Sequence, residues 1–203
     1  MTGTGFWWIL LASGLYGLVH SFLASNGFKR RVCERLGQSI YRRFYRLFFS
    51  IMAGVMLLPI LLLAALLPDR EIYTIPTPWV YLTLAIQAAA AAGVIFAVMH
   101  TGAMRFLGVY QLFARQDPQP EKLVVGGLYR RVRHPIYTFS LVFLWLTPLM
   151  SWNILALNLA FSAYMLIGSV FEEDKLVEQF GKAYEDYRRQ TPRIIPRLKP
   201  KDK

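Results

Sequence analysis

Residues 126–137 read GGLYRRVRHPIY and residues 172–196 read EEDKLVEQFGKAYEDYRRQTPRIIP, two clusters of ionisable and aromatic side chains separated by apolar sequence. In the first cluster the chemistry lies with Arg133, His134, Pro135 and Tyr137. Proline suits the first turn of a helix, where its missing N–H is not needed, so Pro135 predicts a helix start. Arg133 and His134 then stand beside free backbone N–H groups at the positive end of the helix dipole, which suits a carboxylate or phosphate. The same residues also read as plain membrane anchors, with Arg130, Arg131 and Arg133 as surface cations and His134 as a helix cap.

In the second cluster Glu172, Glu173 and Asp174 directly follow an apolar run. Carboxylates at that depth are costly unless paired or hydrogen-bonded. Antiparallel helices on either side of Pro148 bring this acidic step next to the Arg/His step. Two readings follow. One is an ion pair between the ends of a hairpin. The other is a binding site in which one glutamate accepts hydrogen bonds from a ribose or amine while Arg133 or His134 takes the acid end of the same molecule.

The elements that must position these residues are apolar. Of the 203 residues, 55% are hydrophobic, in runs at 6–25, 47–67, 79–99, 135–150 and 153–171. A bilayer crossing needs ~20 residues per helix. The predicted fold class is all-α, a polytopic membrane bundle of about five transmembrane helices. The fourth run is short for a full crossing, so 148–153 is a tight turn near the far surface, with Trp145 and Trp152 at the headgroups. Beyond Phe171 the fifth helix continues out of the bilayer, with Leu176, Phe180, Tyr184 and Tyr187 as an apolar stripe on a charged helix that stops before Pro192. The last hairpin and this carboxy-terminal helix would form a cytoplasmic pocket. Residues 91–135 hold the long connection within the body, interrupted by QDPQP at 116–120, with a segment folded against the membrane. The length fits one structural unit, read as a three-helix membrane region at 1–99 and a region at 100–203 that carries both clusters.

Charge sets the orientation. Of 23 Lys and Arg, seven lie between Lys29 and Arg46, six between Arg105 and Arg133 and nine after Glu173, against only Arg70 in the loop 68–78. The positive-inside rule puts the amino terminus outside and the carboxy terminus with both clusters in the cytoplasm. The net charge of +11 sits in juxtamembrane blocks that face anionic headgroups, so the partner is a lipid bilayer and not nucleic acid. Oligomeric state is not legible. The single Cys33 offers neither a disulfide framework nor a Cys-based metal site. HSFLAS at 20–25 imitates a cleavage site, but the charge order is inverted for a signal peptide, so the first helix is read as retained. His20, His100 and His134 lie near cytoplasmic helix ends on separate helices without ligand spacing, so a haem or metal site is a lesser alternative and no metal is assigned. LLPILLLAALL at 57–67 and AIQAAAAAGVIFAV at 85–98 offer almost no polar lining for a permeation path, which argues against transport and leaves a scaffold as the non-enzyme alternative.

The ordered combination of GLY, RHPxY, a double glutamate and FGxxYxxY across about residues 100–196 closely resembles the isoprenylcysteine carboxyl methyltransferase and phospholipid methyltransferase superfamily of integral-membrane enzymes. HSFLASNGFKR at 20–30, YRRFYRLFF at 41–49 and FLGVYQLF at 106–113 resemble the NnrU-like and methanethiol S-methyltransferase branch. The chain departs from many relatives at Thr138 and Phe139, where they carry a glycine after the tyrosine. The resemblance implies a bacterial-type inner-membrane enzyme with S-adenosylmethionine as cofactor and a small or lipophilic methyl acceptor, a thiol, carboxylate or amine. It implies that Tyr129, Arg133, His134, Pro135, Tyr137, Glu172 and Glu173 line the cofactor pocket, with Gly127 and Leu128 at its mouth and Arg133 and Glu173 in the leading roles. Outside the motif His20, a polar residue in an apolar span, reads as a helix end or as the best candidate substrate contact. Sterol reductases show a related carboxy-terminal pattern, so a nicotinamide-dependent membrane reductase is the other enzyme reading.

Overall fold

The computed structural model describes residues 3–114 and 122–197; the breaker at 116–120 lies outside them. The elements run α1 (Phe6–Ala24), α2 (Asn26–Leu36), α3 (Gln38–Leu66), β1 (Glu71–Thr74), α4 (Trp79–His100), α5 (Ala103–Leu107), α6 (Val109–Phe113), a 3-10 turn (Gly127–Arg130), α7 (Pro135–Trp145), β2 (Leu149–Ser151), α8 (Trp152–Phe180) and α9 (Lys182–Gln190). Helices α1, α3, α4 and α8 are long and apolar enough to cross a membrane. The chain is an all-α integral membrane protein, with one two-stranded exception among the described residues, β1 with β2. The fourth apolar run is shorter still than its sequence suggested. Helix α7 has 11 residues, about 16 Å at 1.5 Å per residue, against the ~30 Å of a hydrocarbon core. The run ends there because 149–151 turns into β2.

Contacts divide the described residues into two compact units. One takes residues up to 73, 102–114 and 149–161. Its core is Phe6, Ile9, Ile60 and Ala156, with Trp152 packed against it. The Asn153 side-chain amide donates to the carbonyls of Ala64, Leu67 and Pro68, and the Asn153 backbone N–H donates to Asp69 Oδ1 at 3.0 Å. These bonds satisfy carbonyls that the end of α3 would leave unpaired. Ser25 separates α1 from α2 by capping the latter, its hydroxyl accepting from Phe28 N–H at 3.2 Å. Arg43 and Arg46 on α3 donate to the carbonyls of Leu112 and Phe106, holding the short α5 and α6 segments that the long connection was expected to contain.

The other unit takes residues 74–101, 122–148 and 162–197, and carries both sequence clusters. Helix α4 packs along α7, where Gly93 leaves room for the Phe139 ring; a Cβ at 93 would come within 2.7 Å of it. Gln87 Nε2 donates to Phe143 O at 2.8 Å in the same seam. Tyr137 on α7 meets Glu172 on α8, and Trp145 Nε1 donates to Ser162 Oγ at 2.9 Å. Advancing along α7 therefore means retreating along α8, which is the antiparallel pairing the hairpin requires. The carboxy-terminal helix is broken where the sequence pattern runs on. Gly181 adopts φ 55° and ψ −133°, a conformation L-residues rarely reach, and α9 restarts after it.

Candidate active site

Helix α7 begins at Pro135 with His134 as its cap residue, as the RHP step predicts. The backbone N–H groups of Arg133 and His134 are not free, however. They donate to the carbonyls of Pro192 and Arg193 at 2.9 and 3.0 Å. Thr138 Oγ1 donates to Ile194 O at 2.6 Å, and Thr191 and Ile194 are buried. Residues 191–194 thus lie along the start of α7 as a strap.

The Arg133 guanidinium sits between the helices. Its Nε donates to Glu173 Oε1 at 2.8 Å and its Nη2 lies 2.7 Å from the same oxygen. Its Nη1 donates to the carbonyls of Arg188, at 2.9 Å, and Thr191, closing the end of α9. Only 8% of the side chain is exposed. Arg133 is therefore occupied on all three nitrogens by the protein itself.

The two glutamates differ sharply. Glu173 is 1% exposed and gathers three partners: Arg133, His134 Nε2 at 3.2 Å, and Arg193, whose Nε and Nη2 lie 3.3 and 3.4 Å from its oxygens. A buried carboxylate is tolerable only with such compensation. The Glu172 side chain is 47% exposed; its Oε2 accepts from Tyr137 Oη at 2.8 Å and lies 3.6 Å from His134 Nδ1. Consecutive helix positions differ by about 100°, so one faces the α7 start and the other turns outward. The His134 ring links them, its two nitrogens aimed one at each glutamate, and it stacks on Tyr137 with centroids 5.3 Å apart. Asp174 is exposed.

The mouth residues lie in the 3-10 turn. Gly127 has φ 59°, and a Cβ there would come within 3.3 Å of the His100 imidazole. The His100 ring stacks on Tyr129, and the Tyr129 carbonyl accepts from Tyr187 Oη. Leu128 O accepts from the N–H groups of Arg131 and Val132, winding the turn. Burial pushes the Tyr129 hydroxyl up to about 12, with Glu172 adding to the effect. The Tyr184 hydroxyl is also pushed up to about 12 by burial. It stands close enough to Arg133 to feel its charge, yet has no hydrogen-bond partner of normal geometry among the described residues.

Tyr129, Arg133, His134, Pro135, Tyr137, Glu172 and Glu173 therefore gather in one place, with Gly127 and Leu128 in the adjoining turn. His20 belongs to the other unit, where its ring lies against Tyr16 and Phe49. Arg193 joins the site without having been singled out, as do Thr138, noted only as a departure from relatives, and His100, noted only as a lesser metal candidate. The signal for the strap was TPRIIP, whose prolines disfavour helix and leave an extended piece. Among the described residues no group of three His, Cys, Asp or Glu gathers as a metal site.

A family model described as phospholipid methyltransferase matches residues 82–183. The chain belongs to that family. Methanethiol S-methyltransferase 2 of Bradyrhizobium diazoefficiens is 33% identical, over 93% of this chain and 72% of that protein. The methanethiol S-methyltransferase of Mycobacterium tuberculosis is 29% identical, over 92% of this chain and 76% of that protein. The enzyme of the same name from Crocosphaera subtropica is 34% identical over 50% of this chain and 40% of its own length. No solved structure matches. By family and by its helices, the chain is a membrane methyltransferase of the phospholipid methyltransferase type.

Proposed function

We propose that this methyltransferase takes its methyl group from S-adenosylmethionine and passes it to a small or lipid-soluble nucleophile, a thiol before a carboxylate or amine. The observation that carries the reading is the division of the double glutamate. Glu173 is buried and neutralised within the protein, while Glu172 keeps a half-exposed carboxylate beside Tyr137, His134 and Tyr129. That donor set suits a ligand with hydroxyls or an amine at one end and a flat ring system to lie along aromatic faces. Tyr137 and Tyr129 would hold the nucleoside side and Glu172 the amine, with Gly127 letting the turn lie close against His100. When bound, the cofactor supplies an electrophilic methyl on a sulfonium. The protein's part is to hold the acceptor in line and keep water out, because an anionic thiolate and a sulfonium lose charge together as they react. No strong base is needed for a thiol, which is already partly ionised near neutral pH. The thiol preference rests on the printed names of the relatives. Clusters of Lys and Arg on one side support a cytoplasmic site.

The test is methyl transfer by the full chain in phospholipid vesicles, supplied with methyl-labelled S-adenosylmethionine and a short alkanethiol. Labelled thioether should form. Label found only in lipid would move the acceptor to a headgroup amine, and no transfer to either would remove the reading.

A further inference from the structure

We propose that Arg193, in the strap 191–194, is the residue that holds the acid end of the methyl donor. This rests on the reading above, that the donor carries an amino-acid arm. Three nitrogen-bearing side chains surround Glu173, and two of them are closed off. Arg133 is 8% exposed and engaged at Nε, Nη1 and Nη2. His134 is buried with one ring nitrogen on each glutamate. The Arg193 side chain is 42% exposed and touches Glu173 at 3.3 and 3.4 Å, the long end of hydrogen bonding. A guanidinium carries five N–H donors, so Arg193 can keep this contact and still present an edge to a planar carboxylate.

The site then has two exposed poles of opposite sign, the Glu172 carboxylate and the Arg193 guanidinium, with the buried His134 and Glu173 between them. A zwitterionic amino-acid arm has the complementary pair of charges. Residues 191–194 fix the cation through their carbonyls, which accept from Arg133 N–H and Nη1, His134 N–H and Thr138 Oγ1. Thr138, one of the two positions that depart from many relatives, thus helps set where Arg193 sits.

The experiment compares two ligands on the full chain in nanodiscs by calorimetry. S-adenosylhomocysteine has the amino-acid arm, and 5′-methylthioadenosine keeps the nucleoside and thioether but lacks the arm. Arg193→Gln should weaken S-adenosylhomocysteine about tenfold to a hundredfold and leave 5′-methylthioadenosine unchanged. Arg193→Lys keeps the charge on Glu173 and loses the planar fork, so it should show a smaller loss confined to the first ligand. Equal losses for both ligands would mean that Arg193 only buttresses Glu173, and no loss for either would also overturn the proposal. Wild-type protein that binds 5′-methylthioadenosine as well as S-adenosylhomocysteine contradicts an anchored acid end. Failure of wild type to bind either ligand overturns the donor reading itself.

Discussion

Arg133 and Glu173 are 40 residues apart in sequence, and Nη2 of the one lies 2.7 Å from Oε1 of the other. The pair joins the start of α7 to α8, and Arg133 extends it to the end of α9 and the strap. One guanidinium thus ties together four pieces of chain.

Breaking that pair should cost folding. Glu173→Gln keeps the shape but leaves the buried Arg133 guanidinium without its counter-charge, a loss of about 3 to 5 kcal/mol. Asp174→Asn, at an exposed position, should change stability by less than ~0.5 kcal/mol. Denaturant unfolding of both variants in the same detergent makes the comparison; equal midpoints would show that Glu173 is not the hub.

The seam between α4 and α7 gives a packing prediction. Gly93→Ala would set its Cβ within 2.7 Å of the Phe139 ring, a strain of about 1 to 3 kcal/mol. Phe139→Leu in the same chain should recover part of the loss. If thermal midpoints of the single and double variants add as independent sites, the two residues are not in contact.

Tyr184 links stability to alkaline pH. Its folded-state value, pushed up to about 12 by burial, exceeds the ordinary value of 10.0. A raised value gives a contribution that is complete below pH 10 and is lost as pH rises towards 12. Tyr184→Phe should make the alkaline slope shallower, with Tyr129 still contributing, and change stability little at pH 7, since the hydroxyl has no hydrogen-bond partner of normal geometry to lose. Stability measured against pH for both proteins decides it; an unchanged alkaline slope in the variant would contradict the assignment.

Much of this was legible in the sequence, for physical reasons. Apolar runs must become helices in a bilayer, Pro135 fits only the start of one, and antiparallel neighbours bring Glu173 to Arg133. TPRIIP marks an extended piece, but its docking on α7 was not legible, because it acts through the carbonyls of Pro192, Arg193 and Ile194, which every residue type carries. The split between Glu172 and Glu173 depends on the rotation of α8 about its axis, and two adjacent identical residues carry no record of that. The break at Gly181 lies in a pattern that reads helical on both sides, and only the positive φ reveals it. His100 looked like a helix end, and its stack on Tyr129 follows from Gly127, whose missing side chain admits the ring.

The charge blocks predict a topology. In a Cys33→Ser background, a cysteine replacing Arg70 should react with an impermeant thiol reagent from outside the cell. A cysteine replacing the exposed Arg189 should react only from the cytoplasm. Labelling of both from one side would reverse or break the bundle.

The most direct measurement is calorimetric titration of the full chain with S-adenosylhomocysteine, beside Glu172→Gln and NADPH as controls. The account predicts binding by wild type, a loss in Glu172→Gln of about 1.5 to 3 kcal/mol at unchanged unfolding midpoint, and no binding of NADPH. Binding of NADPH with none of S-adenosylhomocysteine, or equal affinity in wild type and Glu172→Gln, would contradict it.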